Sequence, residues 1–215
     1  MAQSTSGLRS VLSNPLVYDT FQELMGAGRT RRWMVRELIR PWPCCRILDL
    51  GCGTAEILRC LPAEVEYWGF DPSREYIDAA RGRYGQRAHF ECARVEEIDL
   101  SFLPPIDIVL AVGILHHLED GEAKNLLGAA RTSMGEGARL ISIDPVFIPR
   151  QNPMARLLIS LDRGRNVRTP EAYSSIAKSI FPRAVGTVRR RRWIPYTHWI
   201  MECSAEPGEA VGLDD

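Results

Sequence analysis

The chain has 215 residues, enough for one well-buried α/β domain and too few for two. Lys plus Arg equals Asp plus Glu, at 27 each, whereas a general nucleic-acid binder carries a basic excess that supplies much of its affinity; nucleic acid is a disfavoured partner. No apolar run approaches the ~20 residues needed to span a bilayer, the N-terminal MAQSTSGLRS lacks a signal-peptide core, and six cysteines without a CxxC pair read as reduced thiols of a cytoplasmic protein.

Residues 1–14, rich in Ser, Gln, Gly and Asn, read as a flexible tail. From Pro15 to Arg40, Leu16, Phe21, Leu24 and Met25, then Trp33, Val35, Leu38 and Ile39, recur near helical spacing, with Gly26 and Gly28 interrupting. Past the Pro41-Trp-Pro connector, strands are expected over 46–50, 66–70, 88–92, 106–112 and 138–144, and helices over 55–60, 73–83 and 119–134. Short buried runs alternating with amphipathic helices require βαβ crossovers and a mostly parallel sheet. The rhythm then breaks. Residues 145–182 depart from it, with a mixed apolar stretch at 154–161. A helix is expected over 170–181, with Pro170 in its first turn and Thr169 as its cap. Two β-rich segments, 184–194 and 196–203, lie too close in sequence for a crossover and should pair antiparallel. Residues 204–215 read as a second tail.

The sharpest feature is Ile47-Leu-Asp-Leu-Gly51-Cys-Gly53-Thr-Ala, a buried strand running into two glycines and a helix. Glycine there permits a tight turn and removes the Cβ that would block a ligand, and a helix N-terminus offers free N–H groups. Asp71 stands 18 residues after Gly53, at the end of the second strand, where a carboxylate can accept both hydroxyls of a ribose. The dinucleotide fingerprint demands glycine at position 56, and Glu56 stands there, which makes NAD the runner-up.

ILDLGCGTAEIL closely resembles the first motif of class I S-adenosylmethionine-dependent methyltransferases, and FDPS at 70–73 their second. PIDIVLAVGILHHLED at 105–120 is similar to their fourth motif, and GARLISIDP at 137–145 to their fifth-strand segment. The resemblance implies a single domain over 1–215 with a Rossmann-like α/β fold: a mostly parallel seven-stranded sheet with an antiparallel terminal strand pair and helices on both faces. It implies that S-adenosylmethionine is held by the backbone of Gly51, Cys52 and Gly53. Asp49 would brace this loop or reach the cofactor's ammonium through water, Asp71 would bind the ribose, and Pro72 and Ser73 would lie beside the adenine. Val112 and Gly113 would contact the methionine moiety. Tyr18 would sit on an N-terminal helical lid over 15–40. One position departs from the pattern: Arg94 stands where relatives carry an acid for the adenine amine, and arginine has no acceptor to offer. The Val95 N–H would then serve a ring nitrogen with Arg94 stacked on the adenine, or Glu96 or Glu97 would substitute.

The activated methyl needs little beyond alignment of an acceptor for in-line displacement, and a hydroxyl acceptor gains from a general base, usually histidine. The chain offers His89, His116, His117 and His198. His89 opens a strand and reads as a surface residue, and His198 as a strand histidine. His116 and His117 follow the fourth strand, at the sheet edge where such folds bind ligands. Only one of two adjacent helical residues faces a cleft, and His117 is the favoured base. Arg163, Arg165 and Arg168 would suit an anionic acceptor. Arg189–Arg192 alternate faces on a strand, so they make a poor nucleic-acid patch. No Asp, Asn and His cluster has metal-ligand spacing. The expected activity is methyl transfer to a small-molecule or lipid- or sugar-linked acceptor, at oxygen. The alternatives are a non-catalytic S-adenosylmethionine-binding or partner-subunit protein, or an RNA methyltransferase.

Overall fold

A computed structural model describes residues 27–94, 97, 99–161, 164–190 and 196–204. The expectations for Tyr18, Val95, Glu96, Arg163, Arg191, Arg192, the first tail and residues 205–215 of the second lie outside these residues, while Ser204, expected in the second tail, ends the last strand because it pairs with Arg139 and Arg183. Seven strands form one sheet: β1 (Arg46–Leu50), β2 (Glu66–Asp71), β3 (His89–Cys92), β4 (Ile106–Val112), β5 (Met134–Pro145), β6 (Arg183–Arg190) and β7 (Thr197–Ser204). Their order is β3-β2-β1-β4-β5-β7-β6. The pairs from β3 to β5 are parallel, and β7 runs antiparallel to both β5 and β6. The order reverses between β1 and β4, so the crevice at their C-terminal ends is where an open α/β sheet binds its ligand.

Alternation along the strands divides the interior into two cores. Ile47, Tyr67, Ile108, Leu110, Ile141 and Ile143 face one way, with Met34, Leu38, Ile39, Ile77 and Ala80. Leu48, Val109, Leu140, Trp199 and Met201 face the other, with Leu126, Leu127, Tyr173 and Phe181. A sheet buried on both faces has near-continuous apolar strands, which is why β4 reads IDIVLAV.

Helix α1 (Ala27–Trp33) contains Gly28 without interruption and passes into a π-helical turn, Met34–Ile39. Arg40 ends it in the left-handed region (φ 43°). The terminal carbonyls of Leu38 and Ile39, which have no helical partner, accept hydrogen bonds from the Arg139 guanidinium. Helix α2 (Arg74–Tyr84) is capped by Ser73, whose Oγ accepts the Tyr76 N–H. Helix α3 (Asp120–Ser133) opens on a reciprocal box between Glu119 and Glu122. Helix α4 (Pro153–Ser160) emerges from the mixed apolar stretch, capped by Asn152, and α5 (Pro170–Lys178) is capped by Thr169 as expected.

The helix expected over 55–60 is instead one 3-10 turn, Glu56–Arg59. Ala55 enters it in the left-handed region (φ 56°), and Leu61 precedes a proline, which disfavours helical continuation. Strand β5 begins four residues earlier than its apolar run, because Met134 already pairs with Ile106 before a register shift. The expected helix to Phe181 ends at Lys178, with single-turn bonds carrying the chain to Phe181.

Candidate cofactor and acceptor site

The loop after β1 is fixed to β2 by its backbone. The N–H groups of Gly51 and Cys52 both donate to the Phe70 carbonyl, at 2.8 and 3.0 Å. Gly51 has φ +79°, and a Cβ there would stand 2.8 Å from Ile114 Cδ1. Gly53 has φ +55°, and a Cβ there would meet nothing within 4 Å. It would project into open space, so the glycine leaves a cradle that a side chain would fill.

Asp71 anchors this cradle. Its Oδ2 accepts the Gly53 N–H at 3.0 Å and its Oδ1 the Ser73 N–H at 2.9 Å, tying the loop to the cap of α2. A carboxylate has about four acceptor positions, so two remain for a ribose. Burial raises its pKa, against the pull of the two N–H groups. Asp49 is buried one layer deeper and accepts the Tyr67 hydroxyl at 2.6 Å. Desolvation pushes its carboxyl up to about 7, opposed by that hydrogen bond and reinforced by the Asp71 charge. Tyr67 carries no motif signal, since a phenol inside an apolar strand reads only as core.

Glu56, at the position where a dinucleotide loop needs glycine, is buried and accepts from Arg83 Nη1 (2.6 Å), the Tyr84 hydroxyl (3.2 Å) and Arg59 Nη1 (3.3 Å). It pins the 3-10 turn to the end of α2. Pro72 and Ser73 are half-buried beside Asp71. Arg94 is exposed, and its N–H donates to Glu97 Oε2 at 3.3 Å. A cofactor with a ribose and an amino-acid end fits these residues: the glycine cradle and Asp71 for the ribose, Asp49 behind the loop.

Val112 is half-buried, and Gly113 leaves β4 with φ +70°, its N–H on the Ile143 carbonyl at 2.8 Å. The turn Leu115–His117 follows. His117 was the favoured base from sequence; it is half-buried, with its ring 4.1 Å from that of His116. The carboxylate partner belongs to His116. Asp144, at the end of β5, accepts the His116 N–H at 3.2 Å, and its Oδ1 lies 2.9 Å from His116 Nδ1. Both residues are buried. Two glycines bracket the far side of the imidazole: a Cβ on Gly164 would stand 2.0 Å from His116 Cδ2, and one on Gly113 3.9 Å from Cε1. Nε2 lies between those two carbons. Asp144 was visible in sequence only as the last polar residue of a strand.

Arg168 does not serve as an open anion-binding residue, as the sequence suggested. It is buried, with Nε and Nη2 on Asp120 Oδ1 at 2.9 and 2.8 Å, and further donors on the carbonyls of Leu115, Leu118 and Asn166. Its guanidinium also lies over the Tyr173 ring at 5.6 Å. The turn that carries the histidines has orphan carbonyls, and the nearest forked donor satisfies them. Arg165 is exposed. Arg189 stacks on Trp33, with Cζ 3.4 Å from the ring centroid, and His89 lies on the surface against Trp68.

Residues 48–140 match the family described as Methyltransf_12, a methyltransferase domain. A relative named an uncharacterized methyltransferase, from Anoxybacillus flavithermus, is 24% identical over 123 residues, which is 55% of each chain. A proposed O-methyltransferase from Nostoc punctiforme superposes with a TM-score of 0.68 at 15% identity, over 87% of this chain and 60% of its own. The complex of DhpI with SAH gives 0.63 at 17% identity, over 91% and 93%. This chain thus spans little more than half the length of the curated relative it matches. With the strand order, the glycine loop and Asp71 in register, residues 48–140 are similar to a methyltransferase domain and lie on a Rossmann-like sheet.

Proposed function

We propose that the protein transfers the methyl group of S-adenosylmethionine to a hydroxyl of a small-molecule acceptor, with His116 as the base. The observation that carries the choice of base is the buried His116–Asp144 pair, beside Gly113 at the switch-point end of the sheet. When bound, the sulfonium supplies a methyl already activated for displacement. The chain's residues then hold and align. Gly51, Cys52 and Gly53 offer backbone to the amino-acid and ribose portion, and Asp71 accepts from the ribose. With Nδ1–H given to Asp144, Nε2 is the acceptor nitrogen of His116, and it is bonded to the two ring carbons that Gly113 and Gly164 approach. That nitrogen would take the hydroxyl proton as the methyl passes from sulfur to oxygen, the S–C bond breaking to leave the neutral thioether. The Nostoc neighbour's description supports oxygen as the acceptor atom.

The test is a labelled-methyl transfer assay over a panel of hydroxylated small molecules. His116→Ala should lose roughly 10²–10⁴ in turnover with SAH affinity retained. His116→Ala at wild-type turnover, with His117→Ala inactive, would return the role to His117.

A further inference from the structure

Helix α4 turns an apolar side toward solvent. Ala155 and Ile159, one turn apart, are its buried residues, whereas Met154, Leu157 and Leu161 are 53%, 51% and 58% exposed. At ~100° per residue those three fall within about 60° of one another, opposite Ala155 and Ile159. They are three of the six large apolar side chains exposed among the described residues, and Trp42, Phe102 and Val185 lie elsewhere. Asn152 accepts the N–H groups of Met154 and Ala155, and Pro153 opens the first turn, so the helix is capped and its outward face is fixed. A clustered exposed apolar patch marks an interaction surface.

The charge around it selects the partner. Between Val146 and Thr169 the sequence holds five arginines and one acid, Asp162. Arg168 is neutralised by Asp120. Arg150, in the turn before the helix, Arg156 on its flank and Arg165 beyond it are all exposed. Arg156 rests its guanidinium over the Phe147 ring at 5.1 Å. Apolar side chains flanked by arginines match the boundary of an anionic bilayer, where the former enter the acyl region and the latter stay with the phosphates. No helix among the described residues is long and apolar enough to cross a membrane, so such a contact is interfacial.

We propose that α4 is a docking face that seats the protein on an anionic lipid surface. In the chain, α4 follows the C-terminal end of β5 after residues 146–152. The inference rests on α4 and its charges alone and stands or falls separately from the methyl-transfer reading.

The full chain is sedimented with vesicles of phosphatidylcholine mixed with phosphatidylglycerol, and with phosphatidylcholine alone. Retention is expected on the mixed vesicles only, weakened by salt. Arg150→Gln and Arg156→Gln should each weaken it roughly fivefold. Leu157→Gln combined with Leu161→Gln should weaken it by about tenfold or more; both side chains are exposed, so the fold persists. Val185→Gln, on a distant exposed apolar residue, should bind as the wild type. No retention on mixed vesicles, equal retention on neutral ones, or wild-type retention of the double leucine variant would overturn the proposal. So would a wild-type dimer that the double variant converts to monomer, because a second copy would then cover the face.

Discussion

The loop after β1 and the turn after β4 both leave the C-terminal edge of the sheet, yet they are built differently. The first works through its backbone: Gly51 and Gly53 sit at positive φ, the Gly53 N–H donates to Asp71, and the Gly51 and Cys52 N–H groups donate to the Phe70 carbonyl. The second works through side chains from distant elements: Asp144 orients His116, Gly164 packs on its ring, and Arg168 clamps the turn from behind. The backbone-built site draws on the end of the adjacent strand, with Asp71 18 residues after Gly53. A side-chain-built site draws on partners 28 to 53 residues away.

If that contrast holds, a substitution in the second region should cost stability where the sequence alone suggested acceptor binding. The largest effect is expected at Arg168. Arg168→Ala removes a buried cation from Asp120 and leaves the Leu115 and Leu118 carbonyls without their donor, which should lower unfolding free energy by about 3–5 kcal/mol. Exposed Arg165→Ala should stay within about 0.5 kcal/mol. Urea denaturation compares the two, and equal stabilities would remove the clamp.

In the first region the loss should appear in ligand affinity. Asp71→Ala should weaken SAH binding by roughly 1.5–3 kcal/mol, the range for hydrogen bonds to a charged group. Calorimetry is the measurement, and unchanged affinity would take Asp71 out of the site. Gly53→Ala is a smaller perturbation. The space is open, but alanine at φ +55° is strained by about 1–2 kcal/mol, so stability should drop by that amount in thermal melts. A neutral outcome would mean the loop relaxes out of its positive φ.

The most modest effect concerns pH. Asp49 has a folded pKa near 7 against an ordinary value of 3.8. Between those values the folded state holds a proton that the unfolded state has released, so stability should fall as pH rises through that window and level off above it. The slope is at most ~1.4 kcal/mol per pH unit for one proton. Asp49→Asn should flatten it, and an unchanged profile would place the titration elsewhere.

How much of this was legible differs by residue. The strands β1 and β4, the Thr169 cap and the turn at Gly51 and Gly53 are legible because each rests on near-neighbour chemistry, whereas the sequence does not mark Ser73 as the cap of α2. The 3-10 turn at Glu56–Arg59 is not legible, because Ala55 enters it at positive φ and Glu56 bonds Arg83 and Tyr84, 27 and 28 residues away. Nor is the choice between His116 and His117. A helical wheel says that one of two neighbours faces inward, without saying which one meets a carboxylate arriving on β5.

The sequence by itself determined the strands of the sheet and the glycine turn after β1, because short apolar runs and glycine at a tight turn are local constraints. Tertiary structure alone decided where Arg168 spends its donors, which histidine Asp144 orients, and that α4 shows its leucines to solvent. A guanidinium or an imidazole bonds whatever polar group the fold brings within about 3 Å, and that group belongs to a segment the local sequence does not contain.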